Sequence, residues 1–338
     1  MAAASSMTGP RADDRPARLG SPLRAAVRLT LYLAMTLALI PLQAAALAVG
    51  GRLAERLPVF YHRQCWRILG LRVECRGAMS AARPTLFVCN HSSYTDITVL
   101  GGLIPGCFVA KAEVAGWPFF GLLAKLQRTV FVDRRRGSTA GQRDTMAQRL
   151  RAGQNLILFP EGTSNDGNRL LPFRSALFSV AERRSNGDGA GGNGGGGGAA
   201  EGALTVQPVS IVYARLNGIP IGRSLRPFFA WYGDMELVGH LLRLAGLGKV
   251  TVVVEFHPPV SLEAFGSRKA LAEHCQRVVA EGMARAIAGR DDGPRADGSW
   301  ANGPAATENG AAEGRGRALC GEPGSEPLEP CGGPQGRS

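Results

Sequence analysis

Residues 85–100 read TLFVCNHSSYTDITVL, a strand-like apolar run that passes through a short polar segment into a helical pattern. The apolar run is rich in β-branched and aromatic residues, as strands are. The polar segment holds His91 and Asp96, and Ser92 or Ser93 is suited to cap the helix that follows. The pattern therefore predicts a histidine in a turn and a carboxylate in the first turns of the next helix.

The spacing of His91 and Asp96 allows a catalytic pair. From the first turns of the helix, the carboxylate of Asp96 can reach back to Nδ1 of His91. It would fix the tautomer of the ring and stabilise the imidazolium that forms when Nε2 accepts a proton. A structural role for the histidine is the alternative, since a histidine near an aspartate is common.

Short strand-like runs alternate with helical patterns through the middle of the chain. The strand-like runs are Leu71–Cys75, Thr85–Cys89, Cys107–Ala110, Thr129–Val132, Asn155–Phe159, Leu204–Tyr213 and Val250–Phe256. The helical patterns are Thr95–Leu103, Trp117–Leu126, Thr139–Ala152, Arg174–Arg183 and Leu262–Ala288. This alternation predicts an α/β fold with a mainly parallel central sheet flanked by helices. Active residues then belong at strand ends.

The N-terminal part, 23–70, is predicted to be a membrane-associated helical segment. Leu29 to Gly51 carries no charge and is long enough to cross the hydrocarbon core, which takes about 20 helical residues. Preceding arginines favour a cytoplasmic N-terminus if it crosses, whereas Pro41 leaves insertion into one leaflet open. Arg52 to Leu69 interleaves arginine with apolar residues, as an interfacial amphipathic helix does; a packed helix with a solvated basic face is the alternative.

Composition indicates where the folded domain begins and ends and which partners it can bind. One folded domain is expected at 71–289, with a glycine-rich surface insertion at 186–200 and disordered ends at 1–22 and 290–338. The net charge of +12 comes almost wholly from arginine, which suits phosphate or anionic lipid. Nucleic acid is not expected, because no zinc-finger spacing or aromatic RNA-binding motif is present.

A second polar segment, Phe159-Pro160-Glu161-Gly162-Thr163, follows a strand-like run. With the first segment, it resembles the glycerolipid acyltransferases typified by 1-acyl-glycerol-3-phosphate (lysophosphatidate) acyltransferase. The blocks N-H-x-x-x-x-D and F-P-E-G-T are both complete. Phe131–Arg134 and Val206–Val209 match the two remaining blocks in order, so the resemblance extends over roughly Leu71 to Val260.

The resemblance implies a fold, a mechanism and partners. The fold is a glycerol-3-phosphate acyltransferase-like αβ sandwich with an N-terminal membrane-docking helical hairpin. His91 is the general base that deprotonates the acceptor hydroxyl, and Asp96 orients it. The alkoxide attacks the thioester of acyl-CoA or acyl carrier protein as co-substrate, with no acyl-enzyme, metal or bound cofactor. The expected location is a membrane, at the cytoplasmic face of the bacterial inner membrane.

The same resemblance assigns acceptor binding to the second and third blocks. These residues are Lys111, Arg134, Glu161, Gly162 and Thr163. Arg134 is suited to hold a phosphate because guanidinium binds it bidentately. Trp117–Gly121, between the blocks, is expected either to border an acyl channel or to start a core helix.

One departure from the family pattern bears on the acceptor. Many lysophosphatidate acyltransferases follow F-P-E-G-T with Arg-Ser, whereas here Ser164-Asn165-Asp166-Gly167 follows. A phosphate contact is then missing unless Arg169 or Arg174 supplies it. The leading expectation is conversion of lysophosphatidate to phosphatidate. The alternatives are acylation of lyso-ornithine lipid or another lysolipid, and a non-catalytic lipid-binding protein.

Overall fold

The computed structural model describes residues 19–132, 139–181 and 204–290. The predicted disordered tail, the glycine-rich insertion, most of the predicted N-terminal disorder and Arg134 lie outside these ranges. Within them, the predicted α/β architecture with a mainly parallel central sheet is confirmed.

The sheet has nine strands in the described residues. They are β1 (Leu71–Arg76), β2 (Thr85–Cys89), β3 (Gly106–Lys111), β4 (Val130–Val132), β5 (Asn155–Leu158), β6 (Thr205–Leu216), β7 (Ile219–Pro220), β8 (Val250–Phe256) and β9 (Val260–Ser261). Their order is β1-β8-β6-β2-β5-β3-β4, with β7 and β9 paired to β6. Neighbours are parallel except where β6 meets β7, β8 and β9.

Helices cover both faces of the sheet. They are α1 (Pro22–Val49), α2 (Arg52–Leu69), α3 (Thr95–Gly101), α4 (Phe120–Leu126), α5 (Thr139–Arg151), α6 (Leu237–Gly246) and α7 (Arg268–Ile287). The helix expected at Arg174–Arg183 begins as a 3-10 turn at Ser175–Phe178 and continues as α-helix over 179–181, where the described segment ends. The helix expected from Trp117 begins later, at Phe120.

Alternate residues of the central strands enter two separate cores. Leu86 and Val88 of β2 pack in the core that includes residues of α5 and α7. Phe87 and Cys89 of the same strand pack in the opposite core, with residues of α1, α3 and α6. Since both faces are covered, β2 and β5 read as continuous apolar runs rather than as an alternating pattern.

Helices α1 and α2 form the predicted N-terminal hairpin. Gly50 and Gly51 join them with φ values of +80° and +86°, which glycine adopts without steric cost. Between the helices, Gln43 Nε2 donates to the Ala54 carbonyl at 3.1 Å. By length and apolar composition, α1 is a helix that could cross a membrane.

The hairpin docks on the sheet domain through α3 and the residue after it. Trp66 Nε1 donates to the Thr98 carbonyl at 2.7 Å, and Arg63 Nε donates to the Gly102 carbonyl at 2.9 Å. A Cβ atom at Gly102 would lie 2.1 Å from the Trp66 ring. The close approach of α2 to the domain therefore requires glycine at this position.

We expect Gly102→Ala to loosen the hairpin. The added methyl group overlaps a packed tryptophan, and overpacking of this kind costs on the order of 1–3 kcal/mol. Thermal unfolding of the detergent-solubilised protein measures the loss. The control is Gly116→Ala, where a Cβ meets nothing within 4 Å; equal melting temperatures for both variants would contradict this docking geometry.

Candidate active site

The two polar segments lie at one edge of the sheet. His91 follows β2 and the Phe159–Thr163 segment follows β5, and these strands are parallel neighbours with Val88 opposite Leu158. The carboxyl ends of adjacent parallel strands meet at the same edge, where sites in α/β proteins form. The topology thus brings together segments that are some 65 residues apart.

His91 and Asp96 are in contact at this edge. His91 Nδ1 lies 2.9 Å from Asp96 Oδ2. The carboxylate side chain is fully buried, whereas that of His91 is 20% exposed. The imidazole also stacks on Phe159, with ring centroids 4.1 Å apart. Because Nδ1 faces the carboxylate, Nε2 is the nitrogen left for a substrate, and it has no hydrogen-bond partner among the described residues.

Three further donors hold the Asp96 carboxylate. The backbone N–H groups of Ser92 and Ser93 donate to Oδ2 at 2.7 and 2.9 Å. The Tyr213 hydroxyl, from β6, donates to Oδ1 at 2.8 Å. A buried carboxylate is tolerated when its oxygens are hydrogen-bonded in this way. Asp96 is therefore held in one orientation toward His91.

The Glu161 carboxylate links the two polar segments. Its Oε1 accepts from the His91 N–H at 2.7 Å, and its Oε2 accepts from Asn165 Nδ2 at 2.7 Å and the Leu171 N–H at 2.8 Å. Burial raises the pKa of Glu161 to about 7, although these donors favour the charged form. These contacts position the backbone of His91; the predicted role of Glu161 in acceptor binding stays a prediction.

Backbone contacts hold the turn that carries His91. The Asn165 N–H donates to the His91 carbonyl at 3.3 Å, and the Trp231 N–H donates to the Ser92 carbonyl at 2.8 Å. The amide of Asn90 exchanges two hydrogen bonds with the backbone of Ile211, at 2.9 and 2.8 Å. The turn is thus fixed from both neighbouring strands of β2.

Four other residues are predicted to bind the acceptor, and those that the structure describes do not all lie next to the His91–Asp96 pair. Gly162 has a φ of +71°, which a turn with close backbone approach requires. Thr163 is exposed. Lys111 ends β3 at the same sheet edge, two strands from β2 and so roughly 10 Å away across the sheet. Arg134 is outside the described residues, and the binding roles of all four stay predictions.

An apolar cavity, here called the hairpin cavity, lies between the hairpin and the sheet domain. Its lining comes from α1, α2, α3, β3, α4, α6 and connecting segments, and it includes Tyr94 and Thr95, which lie between His91 and Asp96 in sequence. Trp117 and Phe120 also line it. The Trp117–Gly121 segment therefore borders the cavity and leads into α4.

Sequence reasoning missed the contacts of Tyr213 with Asp96 and of Phe159 with His91, and it missed that Asn90 anchors the turn to Ile211 of β6. Tyr213 ends a strand-like run and belongs to no motif. Its contact with Asp96 joins positions 117 residues apart, so no local pattern could have found it. Asn90 is the one of the three that the sequence could have revealed. It begins the first block, and an amide side chain at the end of a strand is suited to hydrogen-bond the backbone of a neighbouring strand.

Comparisons with known proteins show which family this chain is similar to. A family model described as acyltransferase matches residues 72–212. The lyso-ornithine lipid O-acyltransferase of Brucella abortus (strain 2308) is 41% identical over 259 residues, which cover 76% of this chain and 93% of the relative. The 1-acyl-sn-glycerol-3-phosphate acyltransferase of Neisseria gonorrhoeae is 30% identical, over 56% of this chain and 64% of its own.

A solved structure shows the same fold. The crystal structure of the 1-acyl-sn-glycerophosphate acyltransferase from Thermotoga maritima matches with a TM-score of 0.51 and 20% identity, covering 78% of this chain and 93% of that one. The family-model match and the 41% identity to the Brucella abortus relative show that this chain belongs to the acyltransferase family.

We expect Tyr213→Phe to lower turnover about tenfold or more, with little change in KM. The variant keeps the ring but leaves Asp96 Oδ1 without a donor, and a hydrogen bond to a charged group is worth about 1.5–3 kcal/mol. Steady-state kinetics measures the effect. Tyr213→Phe with unchanged kcat and an unchanged melting temperature would show that this hydroxyl does not support the carboxylate.

Glu161 should make stability depend on pH. Its folded-state pKa of about 7 is above its ordinary value of 4.5, so the folded state holds a proton that the unfolded state has lost. This contribution is present below pH 4.5 and is lost as the pH rises through 7. We expect the melting temperature of the wild type, relative to that of Glu161→Gln, to fall between pH 5 and pH 8. A constant difference would contradict the raised pKa.

Proposed function

We propose that this protein transfers an acyl group from a CoA or carrier-protein thioester to the hydroxyl of a lysolipid, and that the acceptor is lyso-ornithine lipid. The observation that carries the acyl transfer is the His91–Asp96 pair, with Nε2 open to substrate beside an apolar cavity. A general base next to an acyl-sized apolar space is what this reaction needs.

The reaction follows from the geometry of the pair. Nε2 of His91 accepts the proton of the acceptor hydroxyl as that oxygen attacks the thioester carbonyl carbon. The buried Asp96 carboxylate stabilises the imidazolium through Nδ1–H. The tetrahedral intermediate collapses, the carbon–sulfur bond breaks and the thiolate leaves. The thiolate takes the proton from His91, so that an ester, a free thiol and a neutral histidine remain.

The hairpin cavity is suited to an acyl chain. It is mostly apolar, and its lining includes Tyr94 and Thr95, which lie between His91 and Asp96 in sequence. An acyl chain inserted there would leave its carbonyl carbon near His91. Each buried methylene contributes about 0.8 kcal/mol, so the cavity both binds the chain and orients it.

Two observations favour lyso-ornithine lipid over lysophosphatidate. The first is the relative from Brucella abortus, which is more similar and covers more of this chain than the relative named for 1-acyl-sn-glycerol-3-phosphate. The second is the loop beside His91. It offers the half-buried carboxylate of Asp166 one residue after Asn165, whose N–H binds the His91 carbonyl.

The charges near this loop fit an amino-acid head group. Ornithine carries an ammonium group, whereas lysophosphatidate carries a phosphate that an acidic side chain repels. Arg169 and Arg174 are exposed. Arg226 is buried, and its guanidinium already donates to Asn168 Oδ1 at 2.6 Å and to the Ile221 carbonyl at 2.9 Å. Asp166 accepts from the Asn168 N–H at 3.1 Å and from Asn168 Nδ2 at 3.2 Å, and each carboxylate oxygen keeps capacity for a second donor; it is the charged side chain that we assign to the ornithine ammonium.

Lysophosphatidate remains the second candidate acceptor. The complete N-H-x-x-x-x-D and F-P-E-G-T blocks support it, as does the Neisseria gonorrhoeae relative. A lipid-binding protein without catalysis would have no use for a buried carboxylate held by four donors toward a histidine. That reading therefore has the least support.

We infer that the hairpin attaches the protein to one leaflet of a membrane. At the start of α1, the Ser21 N–H donates to the Gly246 carbonyl at 2.9 Å. Toward its other end, Gln43 Nε2 donates to the Leu126 carbonyl at 3.0 Å. Contacts at both ends keep α1 along the domain surface. Leu23, Val27, Leu31 and Leu37 on α1 are exposed, which provides an apolar face for the bilayer.

The attachment is assigned to the cytoplasmic face of the bacterial inner membrane, because CoA and carrier-protein thioesters are cytoplasmic. Phe60 of α2 and Val238 and Leu242 of α6 add exposed apolar area on two helices that both contact α1. The active site then opens at the depth where a lysolipid presents its hydroxyl.

The acceptor assay tests the proposal. We expect the purified protein, with labelled acyl-CoA or acyl carrier protein, to acylate lyso-ornithine lipid at least tenfold faster than lysophosphatidate. His91→Ala should lose turnover and keep vesicle binding, while His274→Ala, a histidine on α7, serves as the matched control. Acylation of lysophosphatidate alone would make the proposed acceptor wrong, and vesicle binding without any acylation would favour the lipid-binding reading.

Asp166→Asn refines the same assay. Loss of an ion-paired hydrogen bond to the ornithine ammonium should raise KM for lyso-ornithine lipid about tenfold, since such contacts are worth about 1.5–3 kcal/mol. Arg169→Gln, an exposed change on the same loop, is the control. An unchanged KM in Asp166→Asn would place head-group recognition elsewhere.

A further inference from the structure

Arg226 is a buried arginine that lies against the loop formed by residues 164–170, here called the Asp166 loop. It is 7% exposed and begins a short 3-10 turn between β7 and α6. Its Nη1 donates to Asn168 Oδ1 at 2.6 Å and its Nη2 to the Ile221 carbonyl at 2.9 Å. An arginine is seldom buried, and two neutral acceptors compensate its charge only in part. The burial of this cation beside the loop therefore needs a reason.

Asn168 connects the guanidinium to the carboxylate of Asp166. While its Oδ1 accepts from Arg226, its Nδ2 donates to Asp166 Oδ2 at 3.2 Å and its N–H donates to Asp166 Oδ1 at 3.1 Å. The carbonyl end of the amide thus faces the cation and the NH2 end faces the anion, which fixes the orientation of all three groups. Burial lowers the pKa of Arg226, and the nearby charge of Asp166 acts in the opposite direction.

The Asp166 loop is also fixed to the turn that carries His91. The Asn165 N–H donates to the His91 carbonyl at 3.3 Å, and Asn165 Oδ1 accepts from the Gly167 N–H at 2.8 Å. A Cβ atom at Gly167 would lie 3.3 Å from Cγ of Arg226. Asp166 therefore lies between an anchor at His91 and an anchor at Arg226, and both determine where its carboxylate points.

The amide between the two charges leaves Asp166 able to bind a cation. A direct bidentate pair with Arg226 would occupy both carboxylate oxygens with the guanidinium. With Asn168 between them, each oxygen accepts one donor and keeps capacity for a second. Asp166 is half-buried, so a ligand can reach it, whereas Arg226 is buried. An effect of Arg226 on a bound head group must then pass through Asn168 and Asp166.

We propose that Arg226 is a positioning residue for acceptor choice. Acting through Asn168, it holds the Asp166 carboxylate where the ammonium of an amino-acid head group binds. The inference rests on the proposed function, because it needs Asp166 to contact the head group. It adds that the choice between an ammonium and a phosphate head group depends on a buried residue that touches neither.

Steady-state kinetics with two acceptors tests the proposal. Arg226→Met keeps much of the side-chain volume and removes the donors. For lyso-ornithine lipid, we expect KM to rise about tenfold with little change in kcat, because a binding contact to a charged group is displaced. For lysophosphatidate, KM should not rise, because its head group gains nothing from Asp166. A merely structural role would change the kinetics of both acceptors alike.

A double-mutant cycle shows whether Arg226 acts through Asp166. Arg226→Met added to Asp166→Asn should raise KM for lyso-ornithine lipid no further, since residues of one hydrogen-bond network are not additive. Additive rises in KM would overturn the proposal, and so would an unchanged KM in Arg226→Met. If Arg226→Met does not fold, Asn168→Ala breaks the same connection at a half-buried loop position. Its KM should rise for lyso-ornithine lipid alone, and an unchanged KM there would equally overturn the proposal.

Arg28→Met is the matched control. Arg28 is half-buried on α1, and its guanidinium also donates to two neutral oxygens, the carbonyls of Ala245 and Leu247 at 3.1 and 2.8 Å. Burial lowers the pKa of Arg28 as it does that of Arg226. This variant should lower the melting temperature and leave the ratio of the two KM values unchanged.

The same measurements separate this inference from the proposed function. If the wild type acylates lyso-ornithine lipid and Asp166→Asn raises its KM, but Arg226→Met does not, the positioning role is wrong and the proposed function stands. If the wild type acylates lysophosphatidate alone, the proposed acceptor is wrong and the positioning role falls with it.

Discussion

Asp96 is fully buried, and its two oxygens accept from the His91 imidazole, two backbone N–H groups and the Tyr213 hydroxyl. A buried carboxylate without such donors would cost several kcal/mol. The fold must therefore bring the turn after β2, the start of α3 and strand β6 together around one side chain. Because Asp96 binds Nδ1 of His91, Nε2 is the ring nitrogen left to face a substrate.

The parallel sheet meets this requirement. Strands β2, β5 and β6 are neighbours, and the polar segments after β2 and β5 leave the sheet at one edge. Glu161 then binds the His91 N–H, and Asn90 bridges to Ile211 of β6. The α1–α2 hairpin packs against the sheet domain and forms the hairpin cavity. In the proposed reaction, an acyl chain would lie in this cavity with its carbonyl carbon near His91. Under the proposed function, catalysis, acyl binding and membrane attachment would share one surface.

The sequence predicted the features that local patterns encode. The strand-like runs predicted the strands of the sheet, and the uncharged run predicted α1. The spacing of His91 and Asp96 predicted their contact. Tyr213 was not predictable, because its partnership depends on the register between β2 and β6.

The tautomer of His91 tests the central claim most directly. Nitrogen NMR of histidine-labelled protein, with His91 assigned by comparison with His91→Ala, reports which ring nitrogen carries the hydrogen. The account predicts that the neutral ring is protonated at Nδ1 and bare at Nε2, and that Asp96→Asn disturbs this state. A neutral ring protonated at Nε2 would contradict it, because the nitrogen facing the substrate could then not accept a proton.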